Sequence, residues 1–246
     1  MRTHNYSNKK VNITIEAPLE LMLNGKKIAT FMCTPRDLED LATGHLYSRG
    51  IIHSVDELLS IGSCESGRRM FVILNGLPHK GKFAVPEVIL TSCGSGSLFN
   101  EEALEDIDLK FDISVSIDEI REAFKSLMES AVLHNTLGGM HCAIITDFNK
   151  KAIREDIGRH NAVDKAIGAA LKENINFEKS IIVTTGRISL DMILKAIGAK
   201  IPVIASLSIP SDLAIEIAER LGICIIGRIA TKDPIIYTSI ENIEIK

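Results

Sequence analysis

From Cys142 onward, short apolar runs alternate with amphipathic stretches, and that alternation limits the folds open to the chain. Cys142 to Thr146, Ser180 to Thr184, Pro202 to Leu207, Ile223 to Ile226 and Ile235 to Thr238 read as strands. Between them, Asn161 to Leu171, Ser189 to Ala199 and Ser211 to Leu221 carry apolar residues at helical spacing. Gly222 stands where the last helix should stop. Strands separated by helices predict a largely parallel sheet covered by helices. Ligands of such sheets bind beyond the carboxyl ends of the strands.

The first half reads differently. Val11 to Glu16 and Glu20 to Leu23 alternate as strands do, and Asn24-Gly25 is a strong type I′ hairpin signal. Ile28 to Cys33 is the expected return strand. Thr34-Pro35 predicts a helix start, with Thr34 as N-cap, Leu38, Leu41, Ala42 and Leu46 on one face, and Gly50 as the stop. Asp56 to Leu59 reads as a short helix, and Arg69 to Leu74 and Val88 to Leu90 as strands. Glu101 to Asp112 is acidic and weakly patterned, and is read as the crossing between two lobes, 1–112 and 113–246. Ser116-Ile117-Asp118-Glu119 is a capping box. It opens a helix with Ile117, Ile120, Phe124, Leu127, Met128 and Ala131 on one face.

A net charge of −4 argues against a dedicated nucleic-acid binder. No apolar run approaches the roughly 20 residues that span a bilayer, and the N-terminus is polar, so no membrane partner is expected and a cytoplasmic location is. The five cysteines include no Cys-x-x-Cys pair, which disfavours both a disulfide framework and a four-cysteine zinc site. Cys33, Cys142 and Cys224 lie in strand-like runs and read as small buried hydrophobes. Cys64 and Cys93 lie in loops of small residues.

Four segments could carry chemistry. In Thr91-Ser92-Cys93-Gly94-Ser95-Gly96-Ser97, backbone N–H groups presented by a glycine-rich loop could stabilise a thiolate; the same loop could equally be a turn with an incidental cysteine. The loops Arg154-Glu155-Asp156-Ile157-Gly158-Arg159-His160-Asn161 and Thr184-Thr185-Gly186-Arg187-Ile188-Ser189 each place a Gly-Arg pair just before a helix. A helix N-terminus and an arginine together suit a phosphate. Simple N-capping, with each arginine paired to an acid such as Asp156 or Asp191, is the other reading. Neither classical phosphate-loop signature is present. His141 could be a ligand or an acid/base, or a core residue entering a strand. The zinc-deaminase pattern fails here, because Ala143 and Ile144 stand where a glutamate is needed; no metal ligands are assigned.

Several segments, in order, resemble the FdhD family, the sulfurtransferases needed to mature formate dehydrogenase. They are Glu16-Ala17-Pro18-Leu19 with Leu23-Asn24-Gly25; Thr34-Pro35-Arg36-Asp37-Leu38-Glu39-Asp40-Leu41-Ala42-Thr43-Gly44; Glu155 to Lys165; Gly186-Arg187-Ile188-Ser189; and Ile201-Pro202-Val203. The resemblance implies an α/β fold: a smaller N-terminal α+β lobe and a cytidine-deaminase-like three-layer α/β/α lobe. It implies persulfide sulfur taken from a cysteine desulfurase and passed to the molybdenum or tungsten bis-pyranopterin guanine dinucleotide cofactor of formate dehydrogenase, usually by a homodimer. It makes Cys93 the sulfur carrier. It assigns cofactor contacts to Gly158, Arg159, His160, Asn161, Gly186, Arg187 and Ser189. By position, it adds Arg228, Ile229, Ala230, Thr231, Lys232 and Asp233. The family's active loop typically reads Cys-Gly-x-Cys, and this chain has Cys93-Gly94-Ser95-Gly96. One thiolate suffices to accept and present a sulfur. The missing second cysteine also admits a second reading, a cofactor-binding chaperone that moves no sulfur.

Overall fold

The structure is a computed structural model that describes residues 1–6, 9–65, 67–79, 104, 107, 109–238, 240 and 243–246. In chain order its elements begin with β1 (Arg2–Tyr6), β2 (Lys9–Ile13), β3 (Ala17–Leu23), β4 (Lys26–Cys33) and α1 (Leu38–Ser48). A single 3₁₀ turn (Val55–Glu57) leads into β5 (Leu58–Ser63) and β6 (Arg69–Leu74). Then come β7 (Ile113–Val115), α2 (Ile117–Ser130), α3 (Val132–Leu137), β8 (His141–Thr146), β9 (Lys151–Asp156) and α4 (Arg159–Lys172). The chain continues with β10 (Ile181–Thr184), α5 (Leu190–Ala199), β11 (Val203–Ser206), α6 (Asp212–Leu221), β12 (Cys224–Gly227), β13 (Ile235–Ile236) and β14 (Ile243–Ile245). The chain is mixed α/β, as its alternation predicts.

β3 to β6 form a four-stranded sheet in the order β4-β3-β6-β5. Asn24 and Gly25 both take positive φ (47° and 82°), as a type I′ turn requires, and the Asn24 side chain accepts the Leu74 N–H at 3.0 Å. One face of this sheet packs Leu19, Leu21, Phe31 and Met70 against Leu41, Ala42 and Leu46 of α1. A second and larger core gathers Leu104, Phe111 and the apolar residues from Ile113 to Ile229. Its six-stranded sheet has the order β13-β12-β11-β10-β8-β9. Every residue of β10, β11 and β12 is buried, so both faces are covered. α4, α5 and α6 form one layer, and α2 packs on β8 and β10 outside it.

The sheet is less parallel than the alternation predicts. Only β10, β11 and β12 run parallel; β8 and β9 form an antiparallel hairpin, and β13 returns antiparallel. The reason is local. Asp147 closes the tight β8–β9 turn by accepting the N–H groups of Asn149 and Lys150, and a turn that short can only join antiparallel neighbours. β9 then points the same way as β10, with β8 between them. The carboxyl ends of β9, β10, β11 and β12 and the start of β8 therefore share one edge.

Helix α1 also departs from expectation. Thr34 does not cap it. The helix starts at Leu38, after Asp37 in the left-handed region with no side-chain cap. Thr34 is spent instead on joining the lobes. Its N–H donates to Asp156 (3.0 Å), its hydroxyl accepts the Ile157 N–H (3.1 Å), and its carbonyl accepts from Lys165 Nζ (3.0 Å). Lys165 and Asp156 are fully buried and 2.6 Å apart. The segment read as a helix from Asp56 is only the 3₁₀ turn, held by a Ser54–Glu57 capping box. The Ser116 capping box and the Gly222 stop are as expected.

The lobes meet backbone to backbone. A Cβ on Gly44 of α1 would lie 1.8 Å from the Asp164 carbonyl oxygen of α4, and one on Gly168 of α4 would lie 2.0 Å from that of Asp40. On α5, a Cβ on Gly198 would lie 1.9 Å from the Ser48 carbonyl oxygen. Under this contact Asp164 binds Lys195 through both oxygens (2.8 Å each), His45 (3.2 Å) and the Ser48 hydroxyl (3.1 Å). Burial raises the Asp164 pKa, but Lys195 and His45 outweigh it and bring the group to about 2, so it stays ionised.

Gly168→Ala should therefore cost roughly 3 kcal/mol or more of unfolding free energy, the scale of overpacking a rigid contact, read as a lower urea midpoint. Gly62→Ala, where a Cβ meets nothing within 4 Å, is the control and should change it by less than about 0.5 kcal/mol. Equal midpoints for the two variants would mean that the helices separate at little cost.

Candidate functional site

The shared strand edge carries three turns, and each is fixed by its neighbours. In the first, Asp156 at the end of β9 accepts the Gly158 N–H (2.8 Å) and the Asn161 side-chain amide (3.1 Å). This bends the chain directly into α4, whose N-cap Gly158 brings no side chain to the helix start. In the second, the Thr184 hydroxyl accepts the Gly186 N–H (3.2 Å) and the Ser206 hydroxyl donates to the Gly186 carbonyl (2.6 Å). Ile188 is buried and exchanges backbone hydrogen bonds with Ile209 and Ser211. With both flanks pinned, Arg187 stands out exposed at the edge. Ser189 then opens α5 without capping it through its side chain.

The third turn follows β12. Arg228 takes φ 55°, its N–H donates to Ser208, and the Ile229 N–H donates to Ser206. Gly227 has no room for a side chain: a Cβ there would lie 2.7 Å from the Tyr237 ring and 2.9 Å from the Ser208 carbonyl. Arg121 of α2 clamps the turn by donating to the carbonyls of Thr231 (3.1 Å) and Lys232 (2.9 Å).

The first two turns touch. Gly186 lies against the stem of Arg159, and a Cβ on it would approach the Arg159 Cβ to 2.7 Å. His160 Nε2 lies 3.2 Å from the Ser189 hydroxyl and 3.7 Å from Asp191. His141 lies 3.4 Å from the Thr185 hydroxyl. Burial, then the nearby Arg159 cation, lower the His141 pKa. The edge therefore presents cationic arginine, neutral imidazole and two helix starts without side-chain caps, a combination that suits an anion.

A family model of the FdhD/NarQ family matches residues 14–244. The chain belongs to this family. Proteins named sulfur carrier protein FdhD are similar to it along nearly their whole length. The one from Methanothermobacter thermautotrophicus is 32% identical over 227 residues, 92% of this chain and 88% of that protein. The one from Bacillus pumilus is 33% identical over 252 residues, 98% of this chain and 94% of that protein. A crystal structure of a candidate formate dehydrogenase accessory protein from Desulfotalea psychrophila superposes with a TM-score of 0.75 at 26% identity, covering 98% of this chain and 96% of that one.

The structure of this FdhD/NarQ member sorts the residues singled out in the sequence. Gly158, Arg159, His160, Gly186, Arg187 and Ser189 meet at one edge. Arg228, Ala230, Thr231, Lys232 and Asp233 lie exposed on the third turn, whereas Ile229 is fully buried in the core. Asn161 is 2% exposed and turns inward, donating to the Met32 carbonyl (2.8 Å) and to Asp156. Arg154 and Glu155, read as part of a loop, belong to β9. Asp156 pairs with Lys165, and Asp191 with Arg49. Cys93 lies outside the described residues. Among the described cysteines, burial pushes Cys33, Cys142 and Cys224 up to about 12, which leaves roughly one thiolate in 100,000 at pH 7. Cys64 is half-buried, and its sulfur accepts the Arg69 N–H at 3.3 Å. No cluster of three or more His, Cys, Asp or Glu among the described residues could hold a metal ion.

Sequence reasoning missed Arg121 and Arg49. Arg121 and Arg49 act from other elements, so no local motif marks them. Asp191 had a signal, since it stands two residues after Ser189 on the same helix.

Burial pushes His160 down to about 4 from its ordinary 6.5, against the pull of Asp191 and with help from Lys195 and Arg159. The unfolded chain takes up this proton as pH falls below 6.5, and the folded chain only near 4. Folding stability should fall across that window by up to about 1.4 kcal/mol per pH unit from this residue alone. Buried His45, also lowered, adds to the slope. Urea unfolding from pH 7 to pH 4 should show the decline, with a shallower slope for His160→Gln. An unchanged slope in that variant would refute the assignment.

Proposed function

We propose that this protein carries sulfur to the molybdenum or tungsten bis-pyranopterin guanine dinucleotide centre of formate dehydrogenase. Cys93 is the carrier and the strand edge is the docking place of the centre, which is substrate here rather than a resident group. The observation that carries the reading is the meeting of the two Gly-Arg turns: Arg159 packed across Gly186, Arg187 exposed beside it, and two helix starts free of side-chain caps. Relatives along nearly the whole chain are named sulfur carriers. The burial that silences Cys33, Cys142 and Cys224 narrows the choice of thiol.

The first transfer needs one thiolate. Cys93 attacks the outer sulfur of a persulfide on a cysteine desulfurase. A new sulfur–sulfur bond forms on Cys93, the desulfurase bond breaks, and its cysteine leaves as thiolate. No resolving cysteine is required, which accommodates Gly96 at the position where the family typically has its second cysteine. In this reading Arg187 and Arg159 take the diphosphates of the dinucleotide. Asn161, with Asp156 and Lys165, holds the first turn in shape from below. A homodimer working in the cytoplasm, where thiols stay reduced, completes the proposal.

Gly96 also supports a second reading, a chaperone that binds the nucleotide centre without moving sulfur. Incubation with a cysteine desulfurase and cysteine should add the mass of one sulfur to the Cys93 peptide, and Cys93→Ala should fail to restore formate dehydrogenase activity in cells lacking the endogenous protein. Full rescue by Cys93→Ala would select the chaperone. Arg187→Ala should weaken GDP binding by about tenfold or more, roughly 1.4 kcal/mol, in a calorimetric titration. An unchanged affinity would remove the strand edge from the proposal.

A further inference from the structure

His160 sits at the strand edge, yet it is poorly suited to hold a phosphate. Its imidazole is neutral near pH 7: Lys195 and Arg159 repel a proton, burial disfavours the charge, and Asp191 and Asp164 do not compensate. A neutral imidazole has one donor nitrogen and one acceptor nitrogen. Which is which follows from what faces Nε2. The Asp191 carboxylate lies 3.7 Å away and the Ser189 hydroxyl 3.2 Å away. Asp191 stays ionised: burial raises its pKa, but Lys195, Arg49 and His160 drive it well below the usual carboxylate range. An ionised carboxylate only accepts hydrogen bonds. Facing an Nε2 lone pair it would repel, and facing an Nε2–H it attracts, with the Ser189 hydroxyl free to accept.

Asp191 does not hold this place alone. Its other oxygen is 2.5 Å from Nη2 of Arg49, which is 3% exposed and comes from the C-terminal end of α1 in the other lobe. Lys195, one turn further along α5, lies 3.8 Å from Asp191 and is itself anchored on Asp164. The carboxylate is held from the far lobe by one cation and from its own helix by another. The second ring nitrogen of His160, Nδ1, makes no hydrogen bond among the described residues and is not enclosed, and the side chain keeps 13% of its surface open.

We infer that Asp191, braced by Arg49, is a positioning residue that fixes His160 as the tautomer protonated on Nε2, leaving Nδ1 as a hydrogen-bond acceptor that reads an N–H on the heterocycle of the bound nucleotide. This rests on the proposed docking of a guanine dinucleotide at this edge and deepens it. Phosphate oxygens lack the hydrogen that Nδ1 needs, so they fall to the arginines, while guanine and pterin rings carry N–H donors. The edge thus divides its work: cations for charge, one acceptor for the ring.

The test reads the histidine directly. In uniformly ¹⁵N-labelled full-length protein at pH 7, with His160 assigned by comparison with His160→Gln, long-range ¹H–¹⁵N spectra distinguish a protonated from an unprotonated ring nitrogen. Without ligand, wild type should show Nε2 protonated and Nδ1 bare. Asp191→Asn, which can rotate its amide to donate or accept, should give a mixture of tautomers, whereas the conservative Arg49→Lys, with Asp191 intact, should keep most of the wild-type pattern. Nδ1 protonated in wild type, or an unchanged pattern in Asp191→Asn, would overturn the positioning role, and the wild-type measurement decides even if a variant fails to fold. Adding GDP should then shift Nδ1 alone to higher field, and inorganic pyrophosphate should not. GDP binding without that shift, or the same shift with pyrophosphate, overturns the heterocycle assignment. No binding of GDP to wild type would overturn the docking reading itself, whereas the ligand-free tautomer would still stand or fall separately. Sulfur loading of Cys93 tests a different step and is independent of both.

Discussion

Everything at the strand edge depends on how closely α1 lies on α4 and α5. The contact is made by backbone, with three helical glycines admitting carbonyl oxygens where side chains would normally stand. Such closeness leaves no space for long apolar side chains to interdigitate. The layer beneath is held by buried salt bridges instead, Asp164 with Lys195 and Asp156 with Lys165, and His45 lies within hydrogen-bond distance of Asp164. Buried ion pairs gain little net stability over well-packed hydrocarbon, yet removing one partner strands the other charge at a cost of several kcal/mol. We read the arrangement as one that defines a single register between the lobes more than one that maximises stability.

That register is what shapes the site. Thr34, at the end of a strand in the smaller lobe, hydrogen-bonds Asp156 and Ile157 at the start of the first turn. Asn161 reaches back to the carbonyl of Met32. Arg49 crosses to Asp191. The most distinctive stretch of the sequence, Glu155 to Lys165, is therefore mainly an attachment between lobes. Its members that reach the strand edge are few, Arg159 and His160 above all. A motif of this length can look like a binding signature while most of it serves to hold two backbones still.

Local chemistry was legible where the partner was close in sequence. Asn24-Gly25, Ser116 to Glu119 and Gly222 each specify a turn, a cap or a stop with residues at most a few positions apart, and each appears as read. The two Gly-Arg turns could be found because glycine and arginine before a helix have a physical meaning of their own. Thr34 was misread for the opposite reason. It has the chemistry of an N-cap, and only contacts to Asp156 and Lys165, more than 120 residues away, show that its hydrogen bonds go elsewhere. The antiparallel β8–β9 hairpin was missed because Lys151 to Asp156 carries charges on a strand that is only partly buried, which hides the apolar run that would have marked it. Arg49 reads as the polar end of a helix and is 3% exposed only because α5 covers it.

The glycine contacts also have a consequence for how such a chain can change over time. Ordinary core positions drift in pairs: a residue grows, its neighbour shrinks, and the volume is recovered. Gly44, Gly168 and Gly198 have no neighbour that can shrink, because what lies opposite each is a main-chain carbonyl present whatever residue occupies Asp164, Asp40 or Ser48. Once the two backbones had closed to this distance, compensation by a single second substitution was no longer open. Only a wholesale shift of a helix could make room again, and that shift would carry the strand edge with it. The lobe interface is, in this sense, a ratchet: it resists stepwise change.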